Sequence, residues 1–569
     1  MTQAVLRPET GAPLPAPQAS ARRRRTPRWA APAAAVAVSA AVLAAHVERY
    51  GRWIVDDAGL TFAYARNIAE GHGVVSQPGM APVEGYSNPL WLAVMLVGRF
   101  LGLFDRGTWF GVPDYVAFPK AAAFVCCLGI FVCFYLAARA VTRYPSVVTL
   151  VAGVALALNP SFVNYAFSGL ENGLYGLGVA ALTAVLVIAY SRERPAAMRT
   201  AALSAAAVLA LVLTRPDGAI FAVAYPVLLV ATFRWSRWRD ALRALMVYAV
   251  VLGAPMVVFL AWRYTTFGLL VPAPALGKEQ HVPDLIALSR VGELVEYAGW
   301  LTVLTLALLV GLLLSRADAA VRGGVVVIGG VLLVGLLDYG VLSWDWMLYF
   351  RFATPVWVAG SLLAGVVLVE GLRLAGRRTR VALVAMAVFG AAMSGATAWA
   401  HMVTRSEQPV LSLCHVVEQR SRTQETYADM LGIGSGTVAL ADLGGTLMTS
   451  RLKAVDLAGL TDITIARNYH RHTLPGTIDY LLTDVRPELI RLYVRWKQDR
   501  VMRADPRFQR DYVPIFGTRD YVRRDMVPSQ EALERTRAWA RTNEARMARR
   551  NKTAPLRSCG ATLYPRGRG

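Results

Sequence analysis

Charged residues are scarce in this sequence, and their scarcity limits what the protein can be. Asp, Glu, Lys and Arg account for 17% of its 569 residues, whereas 55% are hydrophobic and the mean hydropathy is +0.41. So little charge excludes an ordinary soluble protein of this length. Apolar segments of about 17 to 25 residues, long enough to cross a bilayer, recur up to about residue 400. The sequence therefore predicts a polytopic α-helical membrane protein.

Histidine and cysteine are rarer still, with 7 and 5 residues. The histidines show no metal-ligand spacing, so we predict no metal site from them. Cys126, Cys127 and Cys133 lie inside one apolar segment, where thiols are inert packing groups. Cys414 and Cys559 lie in the carboxy-terminal tail, which we place outside the cell, where a disulfide would persist. Whether these two form that bridge stays open at this point, because a sequence carries no geometry.

Nucleic-acid-binding motifs are absent, although the net charge of +22 is high. Many basic residues lie in short loops between apolar segments, where they set the orientation of a membrane protein. The remaining excess in the tail favours anionic glycans or lipid head groups. We therefore expect membrane lipids among the partners and no nucleic acid.

Eleven apolar segments form the predicted membrane domain. Before them, residues 1–28 are rich in Pro, Ala and Arg and predict a disordered basic tail in the cytoplasm. The first apolar segment is longer than the hydrophobic region of a signal peptide, so we expect it to remain as a membrane helix. The predicted spans are residues 30–48, 117–138, 146–164, 172–190, 200–214, 218–233, 243–262, 296–314, 322–342, 353–372 and 381–399.

The segment 89–104 is apolar enough to form a twelfth span, and the basic loops decide against it. If it does not cross, the loops at 139–143, 192–199, 234–243, 316–322 and 373–380 all face the cytoplasm, as the positive-inside rule requires. If it crosses, all five face outward. We therefore interpret 89–104 as a helix in the outer interface, with the amino terminus in the cytoplasm and the tail outside.

The chain beyond residue 28 divides into a membrane domain at 29–400, whose first outer loop is 49–116, and an extracytoplasmic tail at 401–569. The tail mixes strand-like and helical patterns, which predicts an α/β or mixed domain. Its expected elements are strands at 437–441, 454–457 and 478–483, a turn at Gly444 and Gly445, and helices at 487–498 and 530–550.

Two adjacent acids, Asp56 and Asp57, follow the first predicted span. Acidic residues beside a membrane bundle are functional by default, because charge is costly there. The alternative is a solvated pair that caps the following helix. Transfer of a sugar from a lipid phosphate needs a carboxylate to activate the acceptor hydroxyl and fixed cations to hold the phosphate. The outer loops contain both kinds of residue.

Several motifs in these loops together resemble one family of membrane enzymes. They are Asp56-Asp57-Ala58, Tyr64-Ala65-Arg66-Asn67, Gly71-His72-Gly73, Val83-Glu84-Gly85-Tyr86-Ser87-Asn88, Ser168-Gly169-Leu170-Glu171, Phe267-Gly268-Leu269-Leu270-Val271-Pro272 with Lys278, Trp344-Asp345-Trp346-Met347 with Arg351, and Ala441-Asp442-Leu443-Gly444-Gly445 with 455–462 in the tail. The combination resembles the polyprenyl-phosphate-sugar-dependent glycosyltransferases of the GT-C superfamily. The nearest branch includes the terminal arabinofuranosyltransferases of actinobacterial cell-wall arabinan.

This resemblance implies a cavity open to the outer leaflet, in which Asp56 or Asp57 is the catalytic base. The other aspartate would orient the donor, bind a divalent cation or hold an arginine; no cofactor is otherwise implied. The candidate donor-phosphate residues are Arg66, Lys278, Arg351 and Arg215. The candidate substrate-binding residues are Tyr64, Asn67, Glu84, Tyr86, Asn88, Glu171, Trp344 and Asp345. Alternatively, the basic residues snorkel to head groups and the tryptophans belong to an aromatic belt.

The function expected from these residues is transfer of arabinofuranose from a polyprenyl phosphate to a cell-envelope arabinan, either arabinogalactan or lipoarabinomannan, at the plasma membrane. One alternative is another polyprenyl-phosphate sugar, such as mannose, or a protein acceptor. A second is a lipid or sugar transporter, although transporters collect their polar residues near the membrane midplane rather than at one face. A third is a noncatalytic envelope scaffold.

Overall fold

Helices make up most of this chain in a computed structural model, which describes residues 29–276, 285–342, 345–407, 409–493, 496–553 and 557–565. The predicted cytoplasmic tail at 1–28 and the site candidates Lys278 and Trp344 lie outside the described residues.

All eleven predicted spans fall on helices. Among the described residues, seven helices are long and apolar enough to cross a membrane, and two bent pairs raise the number to nine. The predicted spans 200–214 and 218–233 correspond to shorter apolar helices. The helices are Ala30–Val47, Asp114–Val141, Pro145–Ala157 with Pro160–Ala166, Asn172–Ser191, Met198–Thr214, the 3₁₀ helix Pro216–Val223 with Ala224–Ala231, Trp238–Phe267, Leu285–Ala298 with Trp300–Arg316, Ala319–Val341, Thr354–Leu374 and Arg377–Glu407.

The two bends have local causes. Pro160 begins the second helix of the first pair, and Asn159 caps it by accepting a hydrogen bond from the N–H of Phe162, so the helices meet at 75°. Gly299 separates the second pair, which bends by 95°, and its φ of +89° lies in the region that glycine tolerates best.

Residues 48–113, called the first loop below, connect the first two long helices. They contain the helices Ala58–Ala69 and Pro89–Phe100 and a short ribbon of β1 (Thr108–Trp109) and β2 (Val112–Pro113). Pro89–Phe100 has 12 residues, which cover about 18 Å, less than the ~30 Å of a hydrocarbon core. Its end exposes Val97 and Phe100. Its placement in the outer interface stays a prediction.

The tail contains a five-stranded mixed sheet between helices. The strands are β3 (Thr437–Leu440), β4 (Lys453–Asp456), β5 (Leu489–Arg491), β6 (Tyr512–Phe516) and β7 (Asp520–Arg523), in the spatial order β4-β3-β5-β7-β6. β3 runs parallel to β4 and β5, whereas β7 is antiparallel to β5 and β6. The helices are Leu413–Val416, Arg422–Met430, Gly444–Thr449, Ile463–His470, Leu474–Asp479, Lys497–Ala504, Pro506–Asp511 and Gln530–Thr553, with π-helical turns at Val417–Ser421 and Tyr480–Val485.

The predicted fold class, a polytopic helical protein with a mixed carboxy-terminal domain, is confirmed, but three elements of the tail were predicted wrongly. The expected strand 478–483 is helical, because its buried residues Ile478, Leu481 and Leu482 have helical spacing. The expected helix 487–498 contains β5, which is buried between two other strands, and a helix begins only at Lys497. The expected turn at Gly444 and Gly445 starts a helix instead.

Main-chain contacts fasten the tail to the first loop. The N–H of Asp56 donates to Leu411, and the N–H of Leu413 donates to Ile54. A disulfide joins Cys414 to Cys559, with 5.2 Å between their Cα atoms. The disulfide lies within the tail, and the two main-chain hydrogen bonds bring the tail beside the pair Asp56–Asp57.

Candidate active site

A cavity of about 380 Å³ lies where the first loop meets the tail. Asp56 and Asp57 line it together with Arg351 and with Asp442 and Trp496 of the tail. Concave sites of this kind, with mixed aromatic and polar walls, bind small ligands. The other lining residues are Leu60, Thr61, Gly85, Tyr86, Ser87, Asn88, Leu170, Pro274, Trp346, Leu411, Ala441, Leu443, Gly444, Ala458, Leu460 and Tyr493.

Asp56 is held in this wall by the tail. Its Oδ1 accepts a hydrogen bond from the N–H of Gly445 at 2.7 Å, and its Oδ2 accepts one from the N–H of Gly444 at 3.1 Å. These amides begin the helix Gly444–Thr449, where N–H groups have no partner within the helix. A Cβ on Gly444 would lie 1.7 Å from the carbonyl oxygen of Asp56, so the close approach requires glycine.

The surroundings make Asp56 a stronger base than an ordinary aspartate. Burial, and then the negative charge of Asp442, raise its pKa well above the usual value of 3.8; the amides of Gly444 and Gly445 oppose this only in part. Among the described residues, no cationic side chain lies close enough to Asp56 to form an ion pair with it. A general base works best when its pKa is near the working pH, so Asp56 suits that role.

Asp57 faces the same cavity but has a cationic neighbour. Its Oδ2 lies 3.7 Å from Nη1 of Arg351, which is also 3.4 Å from Asp345 Oδ2. The Nε of Arg351 is buried and has no hydrogen-bond partner among the described residues. A buried donor without a partner costs about 1–3 kcal/mol. An oxygen of a bound phosphate would remove that cost.

Glu171 supports this cluster from behind the wall. It accepts a hydrogen bond from Asn88 at 2.8 Å and lies 3.2 Å from Arg215 and 3.7 Å from Arg351. Burial favours protonation of Glu171, but the two arginines outweigh it and hold its pKa below the usual value. Arg215 also pairs with Asp217 at 2.8 Å and does not line the cavity. Glu171 therefore stays ionised and positions Arg351.

Arg66 is placed away from the cavity, although the resemblance suggested a phosphate contact. Its guanidinium makes two contacts of 2.7 Å with the carboxylate of Asp105 and donates to the carbonyl oxygen of Met448 at 2.8 Å. These bonds occupy the guanidinium inside the interface between the first loop and the tail, so Arg66 is left out of the proposed phosphate contact.

Three further candidates hold the first loop in place, by bonds within it or to a neighbouring helix, rather than line the cavity. Tyr64 donates its hydroxyl to the carbonyl of Val83. Asn67 donates to two backbone carbonyls eight and nine residues further along. Glu84 pairs with Arg263 at 2.7 Å. Their side chains fix the loop that carries Tyr86 and Asn88, which do line the cavity.

The tail supplies wall residues that the sequence did not reveal as part of the site. Asp442 accepts hydrogen bonds from Arg420 and from the hydroxyl of Tyr493, each at 2.7 Å. The motif containing Asp442 was visible in the sequence, but nothing there placed it beside Asp56. Within the described ranges, no group of three or more His, Cys, Asp or Glu side chains is arranged to hold a metal ion.

Solved structures with a similar fold are polytopic membrane proteins that carry a sheet-containing carboxy-terminal domain. ArnT from Cupriavidus metallidurans in the apo state has a TM-score of 0.53 and 15% sequence identity, over 88% of this chain and 99% of that one. The same protein bound to undecaprenyl phosphate has a TM-score of 0.51 and 14% sequence identity, again over 88% of this chain and 99% of that one. The arabinofuranosyltransferase AftD from Mycobacteria has a TM-score of 0.47 and 16% sequence identity, over 80% of this chain and 36% of that one.

At these identities the likeness shows the fold alone. No protein-family model matches this sequence, and no curated protein matches it. The resemblance to the GT-C fold that the motifs indicated is confirmed.

Proposed function

We propose that this protein is a glycosyltransferase that moves a sugar from a polyprenyl phosphate to a cell-envelope glycan. The supporting observation is that one cavity is lined by Asp56, a buried carboxylate without an ion-pair partner among the described residues, and by Arg351, whose Nε has no hydrogen-bond partner among them. These are the two groups that such a transfer needs. Undecaprenyl phosphate, the ligand bound in one ArnT structure, belongs to the same class of lipid as the proposed donor.

In the proposed reaction, an acceptor hydroxyl attacks the anomeric carbon of the lipid-linked sugar. Asp56 takes the hydroxyl proton as the new glycosidic bond forms. The bond between the anomeric carbon and the phosphate oxygen breaks, and polyprenyl phosphate leaves with the electron pair. Arg351 donates to the phosphate as its negative charge grows, while Asp57 and Glu171 hold the guanidinium in place.

The finer assignment is arabinofuranose as the sugar and an arabinan of arabinogalactan or lipoarabinomannan as the acceptor. It rests on the motifs that resemble the terminal arabinofuranosyltransferases. We place the cavity at the outer face of the plasma membrane, because the basic loops then face the cytoplasm. This orientation can be tested with single cysteines placed in the loop 234–243 or in the tail. Each cysteine is labelled from the inside or the outside of sealed vesicles.

A donor panel tests the sugar. Purified protein in nanodiscs would be given polyprenyl phosphates carrying labelled arabinofuranose or mannose, with an arabinan oligosaccharide or a peptide as acceptor. We expect labelled arabinofuranose to appear on the oligosaccharide. If the protein transferred only mannose, or transferred sugar only to the peptide, the assignment of arabinofuranose as the sugar and arabinan as the acceptor would be wrong. Movement of the intact donor across vesicles without any transfer would favour a transporter and contradict the proposal.

A further inference from the structure

A second groove, of about 650 Å³, opens on the tail beside the active-site cavity. Ala458 and Trp496 line both spaces, so the groove and the cavity meet across these two residues. Trp496 is 37% exposed, so part of it is available at this junction. A molecule longer than one sugar could therefore lie in both spaces at once.

The walls of the groove combine aromatic rings with polar groups. Trp496 and Tyr469 supply the rings, and Asn468, His472 and Lys497 supply an amide, an imidazole and an ammonium group. Sugar rings have apolar C–H faces and hydroxyl edges, so they bind best where an aromatic surface lies beside hydrogen-bonding side chains. A prenyl chain, by contrast, would need a continuous apolar wall.

The floor of the groove is fixed by its own hydrogen bonds. The hydroxyl of Tyr469 donates to Gln498 and to the carbonyl of Leu457, and the amide of Gln498 donates to the same carbonyl at 3.1 Å. Tyr493, which lines the cavity, packs against Trp496 with 5.4 Å between the ring centroids. Because these groups are already held, a ligand would pay little entropy to order them.

We propose that this groove binds the part of the acceptor glycan that precedes the reacting sugar. The inference rests on the proposed function, since the glycan's last residue would lie in the cavity beside Asp56. The tail would then select acceptors by length, because only a chain of several sugars reaches past Trp496 to Asn468 and Lys497.

The test compares short and long acceptors on the full chain in nanodiscs. The probes are a fluorescent arabinofuranosyl disaccharide and the matching hexasaccharide, with galactosyl and mannosyl hexasaccharides as further arms. The variant is Asn468→Ala with Lys497→Ala. Its matched control is Arg467→Ala with Arg500→Ala, two exposed residues on the same two helices that do not line the groove.

We expect the groove variant to weaken hexasaccharide binding by about 5- to 10-fold, the effect of losing one or two hydrogen bonds, while disaccharide binding and the control stay unchanged. Equal losses for both lengths, an equal loss in the control, or no hexasaccharide binding by wild type would overturn the inference. If the hexasaccharide bound in the groove but no sugar were transferred from any polyprenyl phosphate, the glycan-binding groove would be supported. The proposed function would then be refuted.

Discussion

The substitution Gly444→Ala tests how the tail completes the active site. A Cβ at this position would stand 1.7 Å from the carbonyl oxygen of Asp56 and 2.9 Å from its Oδ1. Real Cβ contacts essentially never fall below 3.0 Å, so loop and tail must separate by about 1.3 Å. The hydrogen bonds from Gly444 and Gly445 to Asp56, now 3.1 and 2.7 Å long, would break.

The expected magnitude follows from those two bonds. A hydrogen bond to a charged group contributes about 1.5–3 kcal/mol, so losing both bonds would weaken the binding of the tail to the first loop by about 3–6 kcal/mol. A catalytic group displaced by about 1 Å can lose on the order of 100-fold in rate. We therefore expect Gly444→Ala to lower the turnover number by about 100-fold and to lower the unfolding temperature of the tail.

The assay is transfer of labelled sugar together with thermal unfolding in the same nanodiscs. Gly434→Ala is the matched control, because Gly434 also lies in the tail, its φ is not positive, and a Cβ there meets nothing within 4 Å. If Gly444→Ala transferred sugar as fast as Gly434→Ala, the tail would not hold Asp56 in its working position, and the reasoning would be refuted.

Three further changes test other parts of the site. Arg351→Gln removes the proposed phosphate contact and should lower kcat/KM for the donor by about 10- to 100-fold. The control is Arg377→Gln, an exposed arginine at the start of the helix Arg377–Glu407 that does not line the cavity. Asp442→Asn removes a negative charge that raises the pKa of Asp56, so the rise of kcat/KM with pH should move to lower pH. Cys559→Ser opens a loop closed over 145 residues and should lower the free energy of unfolding by about 2–5 kcal/mol.

Each of these has an outcome that contradicts it. An unchanged donor KM and kcat in Arg351→Gln would remove Arg351 from the phosphate site. For Asp442→Asn the sign is definite: without the neighbouring charge Asp56 holds its proton less tightly, so a shift to higher pH would show that another group sets the profile. Full thermal stability of Cys559→Ser would mean that the bridge adds nothing to the stability of the tail.

The membrane helices could be predicted from the sequence because hydropathy is a local property. A run of apolar residues identifies a span wherever its neighbours lie, and all eleven predicted segments are helical. The bend at Gly299 could not be foreseen, since it depends on a backbone angle that glycine permits but does not require. The strand β5 was missed because burial between two strands overrides the weak helical preference of its residues.

Five of the candidate site residues line the cavity, four from the first loop and Arg351 from a distant segment, and their roles stay predictions. Asp56, Asp57, Tyr86 and Asn88 lie in one loop and do meet at the cavity. Gly444 is 388 residues from Asp56, and no pattern in either segment indicates that they touch. A sequence motif also does not identify the partners of a side chain. It shows that an arginine is present, but not which carboxylate pairs with it.

The central claim is that Asp56 is the base and that Asp57 acts through Arg351. The most direct test measures the transfer of labelled arabinofuranose from a polyprenyl phosphate by wild type, Asp56→Asn and Asp57→Asn. Donor binding is measured for the same three proteins. We expect Asp56→Asn to bind the donor but transfer nothing, whereas Asp57→Asn should bind the donor less tightly and keep some transfer. A folded Asp56→Asn protein that transfers sugar at the wild-type rate would contradict it.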